Sequence, residues 1–184
     1  MKFHITAQPT GTDVVSLADM KEFLRVDHTD EDTTITAIID AAVQSVQNYT
    51  GRHFKLTTYS LSLDSFQNVE IPSHIITVTG VTYYDSNNDV QTLDGSKYFY
   101  DVAREPARIA FIDPPSTYKD RFNSVIVAGG IGKNTPEAPL LHAVKMLGAH
   151  YYENRRAVIV GVTSTKIPLG IEAMLNPYRI ISLT

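Results

Sequence analysis

From Asp30 to Thr50 the chain places Ile35, Ile38, Ile39, Ala42, Val43, Val46 and Tyr49 at spacings of three and four, the period of one face of an α-helix. Gly51 follows at the position where a left-handed residue ends such a helix. A helix of this span is about 30 Å long. Each large side chain of its stripe contributes about 1.5–3 kcal/mol once buried, so the stripe demands partners. One precedes it: Ser16, with Asp19 three positions on, opens SLADMKEFLR as a variant capping box, and Leu17, Met20, Phe23 and Leu24 recur at helical spacing. The others come from the far end of the chain. Leu140, Leu141, Val144, Leu147, Gly148, Tyr151 and Tyr152 share one face after a start at Pro136-Glu137, and LGIEAMLNPYR reads as a short last helix before a tail, ISLT.

Between these helical ends the pattern changes. LTTYSLSL, HIITVTGVTYY, KYFYDV, RIAFI and SVIVAGG are alternating or β-branched runs, separated by turn signals such as Asp94-Gly95 and Asp113-Pro114-Pro115. They predict five to seven antiparallel strands in a small sandwich or barrel. The expected organisation is α+β: a helical first part over 1–52, a β-rich insertion over 53–133, and a return to the helical core over 134–184.

Net charge is −4, from 16 Lys and Arg against 20 Asp and Glu, without the basic stripe of a dedicated nucleic-acid binder. The absence of cysteine excludes disulfides, thiolate metal sites and cysteine nucleophiles, and fits synthesis in a reducing cytoplasm. MKFHITAQPTGTD has no apolar core of signal-peptide length, and no run approaches a membrane span. A soluble protein is expected.

Several stretches invite a chemical reading. Asp27, His28, Asp30, Glu31 and Asp32 crowd the gap between the first two helices. An EF-hand starting at Asp27 needs glycine at its sixth position and a bidentate acid at its twelfth, where this chain has Asp32 and Ile38. Carboxylates that complement the dipole and cap the free N–H groups of the long helix explain the run better. AGGIGKNTP carries a Gly132-Lys133 pair like a phosphate-binding loop, but Val127 and Asn134 stand where that loop needs its first glycine and its hydroxyl. A glycine-rich exit from a strand is the simpler account. His142 and His150 sit eight apart without the H-E-x-x-H frame, and nothing in the sequence pairs Asp64, Glu70 and Asp101 as hydrolase carboxylates. No catalytic, cofactor or metal site is predicted. The apolar stretch 157–162 and the terminal Tyr178, Ile180, Ile181 and Leu183 either pack back on the core or mark a partner surface.

The run LADMKEFLRVDHTDEDTTITAIIDAAVQSVQNYTGR resembles the N-terminal signature of head–tail connector (adaptor) proteins of tailed double-stranded DNA bacteriophages. Leu17, Lys21, Leu24, Arg25, Val26 and Asp27 match the end of that family's first helix. An acidic spacer and a second helix ending in Tyr49 and Thr50-Gly51-Arg52 follow. PLLHAVKMLGAHYYENRRAV and the closing Met174-to-Arg179 segment look like the longer members, which carry a β-rich insertion in a four-helix core. The resemblance implies a structural virion protein without enzymatic activity. Such proteins form a ring with copies of themselves, commonly twelve-fold, that lies between the portal protein and a tail-side stopper or tail-completion protein. It extends the channel for double-stranded DNA, which passes without sequence-specific binding, and gives the tail its docking face. The expected location is the head–tail interface of the virion, after synthesis in the bacterial host cytoplasm, with no membrane partner. By the same resemblance, Pro177, Tyr178, Arg179 and Ile180 are candidates for the portal contact, and Asp30, Glu31 and Asp32 for the ring interface or lumen. Another phage head or tail-completion assembly protein, or a nucleotide hydrolase using Lys133, remain the alternatives.

Overall fold

The computed structural model describes residues 2–71, 75–103, 106–133, 136–155 and 167–180. The chain divides into two units. One is helical and takes in residues 9–54 and 135–179; the other is β-rich and takes in residues 1–8, 55–134 and 180–184.

The helical unit contains α1 (Leu17–Leu24), α2 (Asp32–Thr50), α3 (Ala138–Glu153) and α4 (Leu169–Leu175). The Ser16 hydroxyl accepts from the Asp19 amide and caps α1 as expected. The chain leaves α1 through Arg25 in the left-handed region, its N–H held by the Glu22 carbonyl. Gly51 ends α2 at φ 70°, a conformation that costs glycine nothing. Ile35, Ile39, Ala42, Val43 and Val46 of α2 are buried against Met20 of α1, Leu140, Ala143, Val144 and Leu147 of α3, and Ile171 and Leu175 of α4. At the end of α2 the buried Gln47 side chain accepts the Phe54 amide at 3.0 Å, so the chain turns without orphaning that N–H.

The β unit is a two-layer sandwich. Its five-stranded sheet runs β1-β2-β8-β4-β5, from β1 (Lys2–Ala7), β2 (Thr57–Leu63), β8 (Val125–Ile131), β4 (Ile75–Tyr84) and β5 (Val90–Thr92). Its three-stranded sheet runs β3-β7-β6, from β3 (Val69–Ile71), β7 (Ala107–Phe111) and β6 (Tyr98–Asp101). All pairings are antiparallel. Tyr59, Leu61, Leu63, Val81, Val125, Val127 and Ile131 meet Ile71, Ala107 and Ile109 in one core. Seven strands therefore fall within the stretch read as β, and the sandwich alternative is the one realised.

The eighth strand corrects the sequence reading. Residues 2–7 were assigned to the helical first part, yet they form β1, with Phe3 opposite Leu61 and Ile5 opposite Tyr59. The alternation of half-buried Phe3 and Ile5 with exposed Lys2, His4 and Thr6 has the strand period of two. The long helix also starts two residues later than read, at Asp32.

The glycine-rich run lies mostly inside β8, not beyond it. Ala128, Gly129, Gly130 and Ile131 pair with β2 on one side and β4 on the other, and only Gly132, at φ 101°, leaves the strand. A Cβ on Gly129 would collide with the Thr77 carbonyl oxygen and lie 2.8 Å from the Tyr59 ring. Since the obstruction is backbone of the neighbouring strand, Gly129→Ala is expected to destabilise the protein by about 1–3 kcal/mol. Urea unfolding of the variant checks this; an unchanged midpoint would contradict the packing described.

Candidate assembly surfaces

The two ends of α2 hold segments from more than a hundred residues away. At its N-terminal end the acidic run is neither a metal loop nor a set of side-chain caps: Glu31 occupies the N-cap position but makes no cap bond. Instead the Arg155 Nη1 lies 2.6 Å from Glu31 Oε1, and the Tyr152 hydroxyl donates to the other carboxylate oxygen. The Arg155 guanidinium also stacks over the Tyr152 ring, 4.3 Å from its centroid. Asp32, in the first turn of α2, meets Lys21 of α1 at 2.6 Å. The reading of these carboxylates as helix caps is thus replaced by ion pairs that join α2 to α1 and to the end of α3. Its other half, a carboxylate in the first turn complementing the helix dipole, fits Asp32. Asp30, just before Glu31 and Asp32 in the chain, stays exposed.

At the other end of α2, Tyr49 Oη donates to Asn176 Oδ1 at 2.8 Å and Arg52 Nε to the Tyr178 carbonyl at 2.6 Å. The Arg179 guanidinium lies 5.0 Å from the Tyr49 ring centroid. These contacts fix the single 3₁₀ turn Asn176–Tyr178 that follows α4. Of the portal-contact candidates, Pro177 and Arg179 are exposed, while Tyr178 and Ile180 are half-buried and Tyr178 packs on the helical core. Packing back and outward display therefore divide the terminus between them. Ile181, Leu183 and the stretch 157–162 lie outside the described residues, as does His74.

The remaining sequence candidates do not converge. Glu70 and Asp101 flank Arg108 across the three-stranded sheet, where Asp101 and Arg108 pair at 3.2 Å. Asp64 accepts the Asn123 amide elsewhere. His142 stacks edge-on against Phe23 at 6.1 Å, and His150 leans on Tyr151. Among the described residues no three His, Asp or Glu side chains gather as metal ligands, and no helix is long and apolar enough to cross a membrane. The amides of Gly129 and Gly130 serve the sheet ladder, so they are not arranged as a phosphate cradle. Tyr49, Arg52 and Tyr152, which carry the two clamps, stand out in the sequence only as helix-face or helix-end residues, with no sign of these distant partners.

A core of four helices with most of a β sandwich between its second and third helices is an arrangement shared with known proteins. Residues 14–98 match the family model described as phage gp6-like head–tail connector protein. The whole chain also superposes on solved structures. It matches a chain from the virion of a native gene transfer agent (GTA) particle with a TM-score of 0.81 at 18% identity, covering 100% of this chain and 98% of that one. It matches a chain in the neck of the native GTA particle, computed with C12 symmetry, with a TM-score of 0.76 at 19% identity. A chain from the neck of the empty particle, computed with C6 symmetry, gives 0.74 at 20%; both cover 100% of this chain and 98% of the other. No curated protein matches the sequence. Residues 14–98 are thus similar to the phage gp6-like head–tail connector proteins, and the whole chain shares the fold of these neck and virion chains.

Glu31 provides a direct test of the clamp. Bonds from Arg155 and then Tyr152 favour its charged form and lower its pKa from 4.5 to about 2. A depressed carboxylate stabilises the fold fully above its unfolded value and loses that contribution as pH falls through its folded value. Denaturant midpoints of the wild type should therefore fall between pH 4.5 and about 2, and Glu31→Gln should remove part of that slope. Parallel pH profiles for the two proteins would rule out the clamp.

Proposed function

We propose that the protein is a structural component of a phage-like particle, a ring between portal and tail that continues the DNA channel and presents the tail with a docking face. The observation that carries this reading is the full-length match of the fold to chains of GTA necks, joined to the connector signature over residues 14–98. Those necks were computed with C6 and C12 symmetry; for this chain a closed ring of identical copies, twelve-fold as in the C12 neck, is the proposal. The helical parts within 1–52 and 134–184 form the connector core, and 53–133 is the insertion. The protein acts by binding and positioning, not by catalysis.

The physical chemistry fits that role. With 20 acidic against 16 basic residues, the surface offers passing DNA no net phosphate grip, and counterions need not be released as it slides. Arg179 and Pro177, exposed on a turn that α2 holds in place, are the outward groups of the portal contact, with Tyr178 and Ile180 as their packed base. Asp30 faces a neighbour or the lumen, while Glu31 and Asp32 hold its loop in position.

Particles assembled without this protein are expected, by electron microscopy, to be full heads that package DNA, lack tails and leak their contents. Normal tailed particles would overturn the assignment. A finer variant, Arg179→Glu, gives up the contact with the Tyr49 ring but keeps the Tyr49–Asn176 and Arg52–Tyr178 bonds that hold the turn, and is expected to give rings that no longer attach to heads. Wild-type attachment by this variant would remove Arg179 from the portal contact.

A further inference from the structure

A closed ring of identical subunits needs two different, complementary faces on every copy. The β unit carries an unusual candidate for one of them. Phe122 is 83% exposed, yet the residues on both sides of it are tied down. The Arg121 guanidinium stacks 3.4 Å above the Tyr84 ring and Arg121 Nη1 donates to Asn88 Oδ1 at 3.1 Å. Asn123 is left-handed at φ 56° and its amide donates to Asp64 Oδ1 at 2.9 Å. The Ser124 hydroxyl closes the turn on the Arg121 carbonyl at 2.7 Å. An aromatic ring held outward by a frame of this kind loses little conformational freedom when it is covered, which is the property of an interface anchor. Val90, also exposed at 62%, stands opposite Tyr84 in the sheet.

The helical unit carries a matching concavity. A groove of about 250 Å³ beside α1 and α3 is lined by the apolar Val14, Val15, Ala138 and Leu141 together with Asp19, His142 and Lys145. Lys119 and Asp120, both exposed, precede the Phe122 turn. The turn thus offers one charge of each sign beside its aromatic ring, and the groove offers one of each beside its apolar lining. Opposite pairs of this kind fix orientation and reject wrong registers.

We propose that the Phe122 turn of one copy seats in the Val15–Leu141 groove of the next, making the repeating contact of the ring. The proposal rests on the ring reading above and names the faces that close it.

The chain has no cysteine, so disulfide trapping is clean. Phe122→Cys and Ala138→Cys copies, produced together and isolated as rings from particle necks, should form a disulfide between the two variants. Intact rings without that disulfide, or linked only through Phe122→Cys to itself, would overturn the contact. Phe122→Ala, which removes an exposed ring, and Ala138→Trp, which fills the groove, should each raise the concentration needed for ring formation by roughly tenfold or more. Asp120→Lys should weaken the ring, and adding Lys145→Glu should restore it; no rescue would count against the seating. Phe122→Ala rings that form normally but fail to attach would place the turn against another neck protein and refute the proposal. Wild-type protein found as a monomer at the neck would instead defeat the ring reading itself.

Discussion

Everything in the helical unit depends on the apolar stripe of α2 being covered. The covering elements are α1, which precedes it directly, and α3 and α4, which arrive only after the whole β unit has been made. Closing so long a loop costs entropy before any contact repays it. The repayment comes from the buried stripe, and the register comes from polar clamps at its two ends. Glu31 with Tyr152 and Arg155 sets the end of α3, and Tyr49 and Arg52 set the turn after α4. An amphipathic helix alone would allow its partners to slide; charged and hydrogen-bonded ends do not. This division of labour, apolar burial for stability and polar ends for position, suits a protein whose work is to hold surfaces in fixed places.

The β unit obeys the same logic with a different element. Its last strand, β8, lies at the centre of the larger sheet between β2 and β4, so the sheet is incomplete until residues 125–131 have arrived. Gly129 lets that strand fit beneath the Tyr59 ring and against the Thr77 carbonyl. Within the glycine-rich run whose Gly132-Lys133 suggested a nucleotide loop, Gly129 is therefore a packing device. Side-chain absence at a crowded central strand and a phosphate cradle draw on the same residue, and sequence alone does not separate them.

Much of the fold was legible because its signals are local. The α2 period, the Ser16 cap and the Gly51 terminator each act within a few residues, and the structure places all three as expected. The turn signals likewise delimited the β-rich stretch. What escaped were features that exist only through a distant partner. β1 is a six-residue alternation that becomes a strand by pairing with β2, more than fifty residues on. The acidic loop looked like helix capping because capping is the local explanation, whereas its true partners lie near position 155. The available hint was an arginine three residues after a tyrosine at the end of α3. Of the assembly candidates, the terminal turn was legible as apolar and aromatic, but its division into displayed Pro177 and Arg179 and packed Tyr178 follows from Arg52 and Tyr49, which sequence gave no reason to join to it.

The proposed function sets copies of this chain in a ring at the junction of head and tail. A reconstruction by electron cryomicroscopy of the particle neck tests it most directly. The account predicts a single closed ring of this chain between portal and tail, with the turn at Arg179 on the portal side and the DNA channel running through it. Density for the chain elsewhere in the particle, or in an open or monomeric arrangement at the neck, would contradict it.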